Sequence, residues 1–138
     1  MGLNLLVQFI AKLNQMCATK TLSFVHPYSE GIGQFLVLLK RNNLIQGFSL
    51  TDNTDLPYPY VTVHLRHHNN HALLRKISLR SGFKVRVPFS IEEIRIFHQK
   101  SQKVLAPLIV VECGGAFFTS LEALDQNKAG RFFALLYL

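Results

Sequence analysis

Leu74–Pro88 reads LRKISLRSGFKVRVP, with five Lys/Arg in fifteen residues and no carboxylate among them. The background is β-branched and apolar, and Ser81-Gly82 breaks it once, the pattern of a short β-hairpin. Arg75, Lys76 and Arg80 stand before the turn, and Lys84 and Arg86 after it. Outward from this ribbon, the nearest acids are Asp55 and Glu92; Arg66 and the imidazoles of His64, His67, His68 and His71 fall between them. Carboxylates excluded over such a length concentrate positive charge that folding does not require. An anionic partner is therefore expected, with this window as a phosphate-binding face. The ribbon also divides the chain: residues 1–88 read as a first lobe that it closes, and residues 89–138 as a second.

Composition bounds this reading. The 138 residues hold 15 Lys+Arg against 8 Asp+Glu, a net charge of +7, yet 49% are apolar and 11 are Phe, enough for a real core. This describes a folded basic protein rather than a basic tail. Single cores usually become comfortable at about 100 residues, so one domain or two very small packed lobes fit the length. Cys17 and Cys113 have no C-x-x-C or Cys/His metal spacing, and a reducing compartment is the simpler setting. No apolar run nears the roughly 20 residues of a membrane span; the longest, Phe35–Leu39 and Leu105–Val111, are of strand or helix length. A soluble protein with no membrane partner is expected. The opening MGLNLLVQFIAKLNQ lacks the character of a transit peptide or secretory signal, so a presequence is expected to be absent or removed. Leu6 stands where a myristoylation motif places Ser or Thr.

Periodicity along the chain predicts an α+β protein. Leu6, Phe9, Ile10, Leu13 and Met16 recur at helical spacing, with Lys12 on the polar side. Thr21–Val25 reads as a strand ended by His26-Pro27. Ser29 is placed to cap a second helix with Ile32, Phe35, Leu36 and Leu39 as its buried stripe, Lys40-Arg41 at its end and Asn42-Asn43 as its stop. Ile45–Thr51 and Tyr60–Arg66 predict an antiparallel pair, and Leu73–Ser78 a third, returning strand. The first lobe is thus α-β-α-β-β(-β). Beyond Pro88, Ser90 and Glu93 with Ile91, Ile94 and Phe97 predict a capped short helix. Leu108–Val111 predicts a strand, Cys113-Gly114-Gly115 a turn, Thr119-x-x-Glu122 a capping box, and Phe132–Tyr137 a closing strand. The second lobe is mostly β with short helices.

This order of segments, and residues within it, resemble the S-eight family of small-subunit ribosomal proteins. FIAKLNQM stands at the place of that family's basic first helix. Pro27-Tyr28-Ser29 resembles its Pro-x-Ser helix start, and LLKRNNLIQGF its helix-to-strand passage. Arg75-Lys76-Ile77-Ser78, Gly82 and Lys84-Val85-Arg86-Val87 are similar to its Lys-Arg-Ile-Ser, Pro-Gly, Arg-Val-Tyr ribbon. Thr119, Glu122, Ala123, Gly130 and Tyr137 fit its C-terminal frame. In that frame the family's RNA-contacting Ser-Thr-Ser falls on Glu112-Cys113-Gly114, its next Lys-Gly on Gly115-Ala116, and the Glu after its Gly-Gly becomes Arg131. The Pro of its Pro-Gly turn becomes Ser81. Divergence with topology retained, together with the abundance of Phe and Leu, suggests a mitochondrial ribosome, with a plastid or bacterial cytoplasm as the alternative.

The resemblance implies a structural constituent of the small subunit that binds the central domain of its rRNA, supports assembly and translation, and touches neighbouring small-subunit ribosomal proteins. It implies no catalytic residue, metal, cofactor or small-molecule substrate. The RNA-binding set is Lys12, Ser29, Arg75, Lys76, Ser78, Arg80, Lys84, Arg86, Glu112, Cys113, Gly114, Gly115 and Thr119. Structured RNA offers phosphates and 2′-hydroxyls along a shallow minor groove, which cations and short polar groups recognise by shape. Arg75 and Arg80 suit phosphate oxygens, Ser78 and Thr119 supply hydroxyls, and bare Gly114-Gly115 backbone allows close approach. Glu112 points away, accepts from a base or 2′-hydroxyl, or pairs with a neighbouring cation.

Competing readings start from the same residues. A charged hairpin also suits a solvated edge strand. His64, His67, His68 and His71 have spacings that could serve zinc, but without a nearby Cys or acid a polar loop is expected. A small enzyme or metal-binding protein would use Cys113, with His98 as base, or that His cluster; a protein-only interaction module is a third class. The Phe pairs 117–118 and 132–133 are expected to fill the core, with one ring of each facing outward. Gly31-x-Gly33 lacks the strand and third glycine of a dinucleotide loop.

Overall fold

The computed structural model describes residues 2–51, 57–79, 88–102 and 108–138, an α+β structure with several small antiparallel sheets. Contacts gather it into two compact units, Met1–Lys76 and Ile77–Leu138, which divide inside the basic ribbon.

In the first unit, α1 (Gly2–Ala18) buries Leu6, Phe9, Ile10, Leu13 and Cys17, a stripe that helical spacing brings to one face. It packs on β1 (Ser23–Pro27) and α2 (Glu30–Arg41). The Phe9 ring lies 5.9 Å from Phe24 and meets His26 edge-on at 5.4 Å. Ser29 caps α2 as expected, its Oγ accepting from the Ile32 amide at 3.4 Å, while Glu30 and Lys40-Arg41 complement the helix dipole. Ile32, Phe35, Leu36, Leu38 and Leu39 are fully buried; truncating a Phe in such a position costs about 3–5 kcal/mol. Asn43 ends the helix with a left-handed φ of 59°. Gly31 and Gly33 lie inside α2; a side chain at Gly33 would run into the Tyr28 ring, whereas one at Gly31 would meet only ordinary contacts.

β2 (Ile45–Thr51) and β3 (Tyr60–Leu65) pair antiparallel, and β1 flanks β3 on its other side, giving the order β1-β3-β2. Pro27 is tolerated because β1 is an edge strand. The register passes from Ile45↔Leu65 to Gly47↔His64, so Gln46 is a bulge. Next come β4 (His67–His68) and β5 (His71–Ala72), a minimal hairpin where the sequence suggests a polar loop. Asn69 and Asn70 close it with φ of 54° and 66°, and asparagine tolerates that conformation better than most residues.

The second unit holds the rest. β6 (Lys76–Leu79) and β7 (Pro88–Phe89) both pair with the closing strand β10 (Gly130–Tyr137), whose other neighbour is β8 (Leu108–Cys113). The segment Leu73–Ser78, read as a strand returning to the first sheet, is therefore a strand only from Lys76 and belongs to this second sheet. Its alternation is local, whereas its partner is chosen by burial of Ile77 in the folded chain. The ribbon's turn at Ser81-Gly82 and its second arm lie outside the described residues.

β8 turns through Gly114-Gly115 into β9 (Ala116–Thr119), with Cys113 opposite Ala116. Both glycines have positive φ, 59° and 86°, the demand of a two-residue type I′ hairpin. α3 (Ile91–Gln102) and α4 (Ser120–Asp125) pack together, and Ile94, Ile109, Val111, Phe118 and Ala123 form the core beneath them. Ser90 caps α3, accepting from the Glu93 amide at 3.2 Å. Phe117 and Phe118 are both buried, against the expectation of one outward ring: alternation sends them to opposite faces, and Phe117 lies 4.7 Å from Phe133. Phe133 reaches it from a bulge in β10.

Candidate nucleic-acid interface

Arg75 is exposed between β5 and β6, and Lys76 is exposed at the start of β6. Strand alternation turns buried Ile77 inward and leaves Lys76 and half-buried Ser78 on the other face, so a cation and a hydroxyl from the sequence set share one side. Arg80, Lys84 and Arg86 lie outside the described residues. Lys12 is half-buried on α1, and the Ser29 hydroxyl is engaged in capping α2.

The substituted C-terminal loop is split by strand geometry. Gly114 and Gly115 form the exposed tip, and a Cβ added to either would meet nothing within 4 Å. Cys113 packs against the Ile94–Phe118 cluster. Glu112 lies on the opposite face, directly across from Phe117 on one side and Arg131 on the other. Among the roles open to Glu112, the register thus supplies a cation, Arg131, as cross-strand neighbour. Thr119 is 4% exposed; its Oγ1 accepts from the Glu122 amide at 3.3 Å while its own amide donates to the Glu122 carboxylate at 2.9 Å. This capping box is the one the spacing predicts, and it fixes where β9 ends and α4 begins.

Other groups were not legible as site residues. Lys128 holds its Nζ 4.7 Å over the Phe118 ring, a cation–π contact that no local pattern announces. Tyr58 and Tyr60 stack at 5.4 Å, and a hydrogen bond with Tyr58 pushes the Tyr60 phenol up. Half-buried His98 is hydrogen-bonded to Ser120, Nδ1 to Oγ at 2.7 Å, and Ser120 is 3% exposed, so this pair ties α3 to α4. His68 and His71 face each other across the β4–β5 hairpin, and His64 stands on β3. Among the described residues no three His, Cys, Asp or Glu lie close enough to hold a metal. Cys17 and Cys113 are free thiols, and burial pushes the Cys17 thiol up to about 11, which makes it a poor nucleophile. No helix among the described residues is long and apolar enough to cross a membrane.

No known protein family matches the chain, and no curated protein matches it.

Proposed function

We infer that the chain is a structural RNA-binding protein of the small ribosomal subunit, divergent within the S-eight type, whose partners are small-subunit rRNA and neighbouring ribosomal proteins and whose home is the mitochondrial ribosome. One observation carries this reading: between Asp55 and Glu92 the sequence has no acid, and the described cations Arg75 and Lys76 stand exposed with no ion-pair partner among the described residues. Exposed cations without an ion-pair partner among the described residues stabilise a fold little, since even paired surface charges contribute about 0–1 kcal/mol. They suit a phosphate backbone, and Ser78 on the same side adds a donor and acceptor for a 2′-hydroxyl.

The glycine tip is a second, uncharged approach. Its bare backbone lets a sugar-phosphate strand come close, while Thr119 acts indirectly by holding the hairpin's far end. Cys113 supports the loop from the core side. The reading needs no catalytic group, and half-buried His98 is engaged by the buried Ser120 hydroxyl. Binding of the full chain to a small-subunit rRNA fragment, followed across salt concentration, tests the proposal. A linear fall of log affinity with log salt is expected, at about 0.9 per phosphate neutralised. An affinity indifferent to salt overturns it.

A further inference from the structure

A hollow of about 370 Å³ opens in the first unit, lined by Asn43, Ile45, Gln46, Arg66 and His67. It is built where the backbone is irregular. Asn43 is left-handed just past α2, Gln46 is the bulged residue of β2, and Arg66 and His67 follow directly on β3. Arg66 is steadied by an Nη1 donation to the Asn43 carbonyl at 3.2 Å, which uses one of five guanidinium donors. Both ring nitrogens of His67 are closed to solvent and have no hydrogen-bond partner among the described residues. A neutral imidazole offers one donor and one acceptor, and leaving both unmet is an arrangement that folding alone selects against. A half-turn about χ2 puts Nδ1 where Cδ2 stood and Nε2 where Cε1 stood, and that torsion is broad and two-fold.

We propose that this hollow receives the base of an unpaired RNA nucleotide, read by Asn43, Gln46 and the turned His67, with the adjoining phosphate on Arg66. The inference rests on the RNA-binding reading and names a contact away from the ribbon and the glycine tip. Size supports it, because the hollow falls at the lower end of small-molecule pockets and a lone phosphate would leave most of it empty. Chemistry supports it too. A side-chain amide presents a donor beside an acceptor, the pattern that pairs with an adenine edge, and a guanidinium forks onto phosphate oxygens. None of the lining residues is acidic, so a phosphate meets no repulsion there. Ile45, the apolar member, is 2% exposed, which leaves polar groups to meet a guest and disfavours an apolar one.

Two RNA hairpins that differ only by one unpaired adenosine test this with the full chain at a fixed salt concentration. The natural protein is expected to bind the bulged hairpin on the order of tenfold more tightly. Gln46→Ala and His67→Ala should each erase the preference and keep the affinity for the plain hairpin. Equal binding of both hairpins by the natural protein overturns the proposal. Because His67→Ala removes a partly buried ring and risks misfolding, adenosine monophosphate titrated into the natural protein gives an independent measure by NMR. Shifts centred on the His67 ring and the Asn43 and Gln46 amides support the site, and a His67 ring unmoved at millimolar nucleotide refutes it. Failure of the RNA reading looks different: both hairpins then bind without salt dependence or not at all, while the nucleotide titration still reports on the hollow.

Discussion

Gly130 at the head of β10 lies so close to Glu112 on β8 that a side chain there would run into the Glu112 carbonyl oxygen and stand 2.7 Å from a Val111 methyl. Neither neighbour is the free end of a flexible side chain. The obstruction is backbone and buried core, so the glycine sets how tightly the closing strand draws the arm that leads to the Gly114-Gly115 tip. Its necessity is steric rather than conformational.

Gly130→Ala is accordingly expected to destabilise the protein by about 1–3 kcal/mol, the usual result of forcing extra volume into a packed site. Urea denaturation measures it. RNA affinity should fall as well, because the displaced strand shifts the tip. A variant as stable as the natural chain would mean that β10 and β8 do not approach this closely in solution.

Charge reversal on the ribbon separates binding from folding. Arg75→Glu with Lys76→Glu changes two exposed residues without touching the core, so stability should move by no more than about 0.5 kcal/mol. If those two cations together with Lys12, Arg80, Lys84 and Arg86 neutralise about six phosphates, the natural chain loses on the order of a thousandfold in affinity between 50 and 200 mM salt. The double variant should bind more weakly and show a shallower salt slope. An unchanged slope would place the phosphate contacts elsewhere.

What the sequence revealed about the fold follows interaction range. The Ser29 cap, the buried stripe of α2, the Asn42-Asn43 stop, the strand Ile45–Thr51 and the Thr119–Glu122 box are all decided within a few residues, and each is where its pattern predicts. The partner of β6 is not local: Lys76–Leu79 alternates equally well beside either sheet, and only its pairing with β10 distinguishes them. Bulges at Gln46 and Phe133 are set by register across two strands, so the hollow beside Gln46 and the burial of Phe133 had no signal in either strand alone. The same holds for His98 and Ser120, which tertiary packing brings together. Site residues were legible as a charge pattern. Their division between a strand face, a core-facing thiol and an open tip was not.

The hairpin tip gives a substitution that keeps the fold and tests close approach. Gly114 has a φ of 59° and open space around it, so an added side chain meets only a backbone cost. Asn accepts the left-handed region better than most residues, and Gly114→Asn should lower stability by no more than about 1 kcal/mol. Its side chain nevertheless occupies the space through which an RNA backbone would pass. Affinity for the rRNA fragment is expected to drop on the order of tenfold with the melting temperature little changed. Undiminished binding would show that RNA does not come close to this tip.

Cys17 links the core of α1 to alkaline pH. It is 7% exposed, and burial alone pushes its thiol up to about 11, whereas an unfolded-chain thiol ionises near 8.5. From about pH 8.5 to 11 the folded state therefore keeps a proton that the unfolded state has released. The sign follows: this contribution to stability is fully present below about 8.5 and is lost as pH rises through about 11, a decline on the order of 3 kcal/mol. Lysines and tyrosines titrate in the same range, so the informative quantity is the difference between the natural chain and Cys17→Ala. The variant starts less stable because of its small cavity, and the gap should narrow as pH climbs through the window. Alkylation at neutral pH gives the companion measurement, with half-buried Cys113 modified before Cys17. Two denaturation curves falling in parallel from pH 8.5 to 11 would show that the Cys17 thiol ionises as readily in the folded protein as in the unfolded chain, and that α1 opens to water at this position.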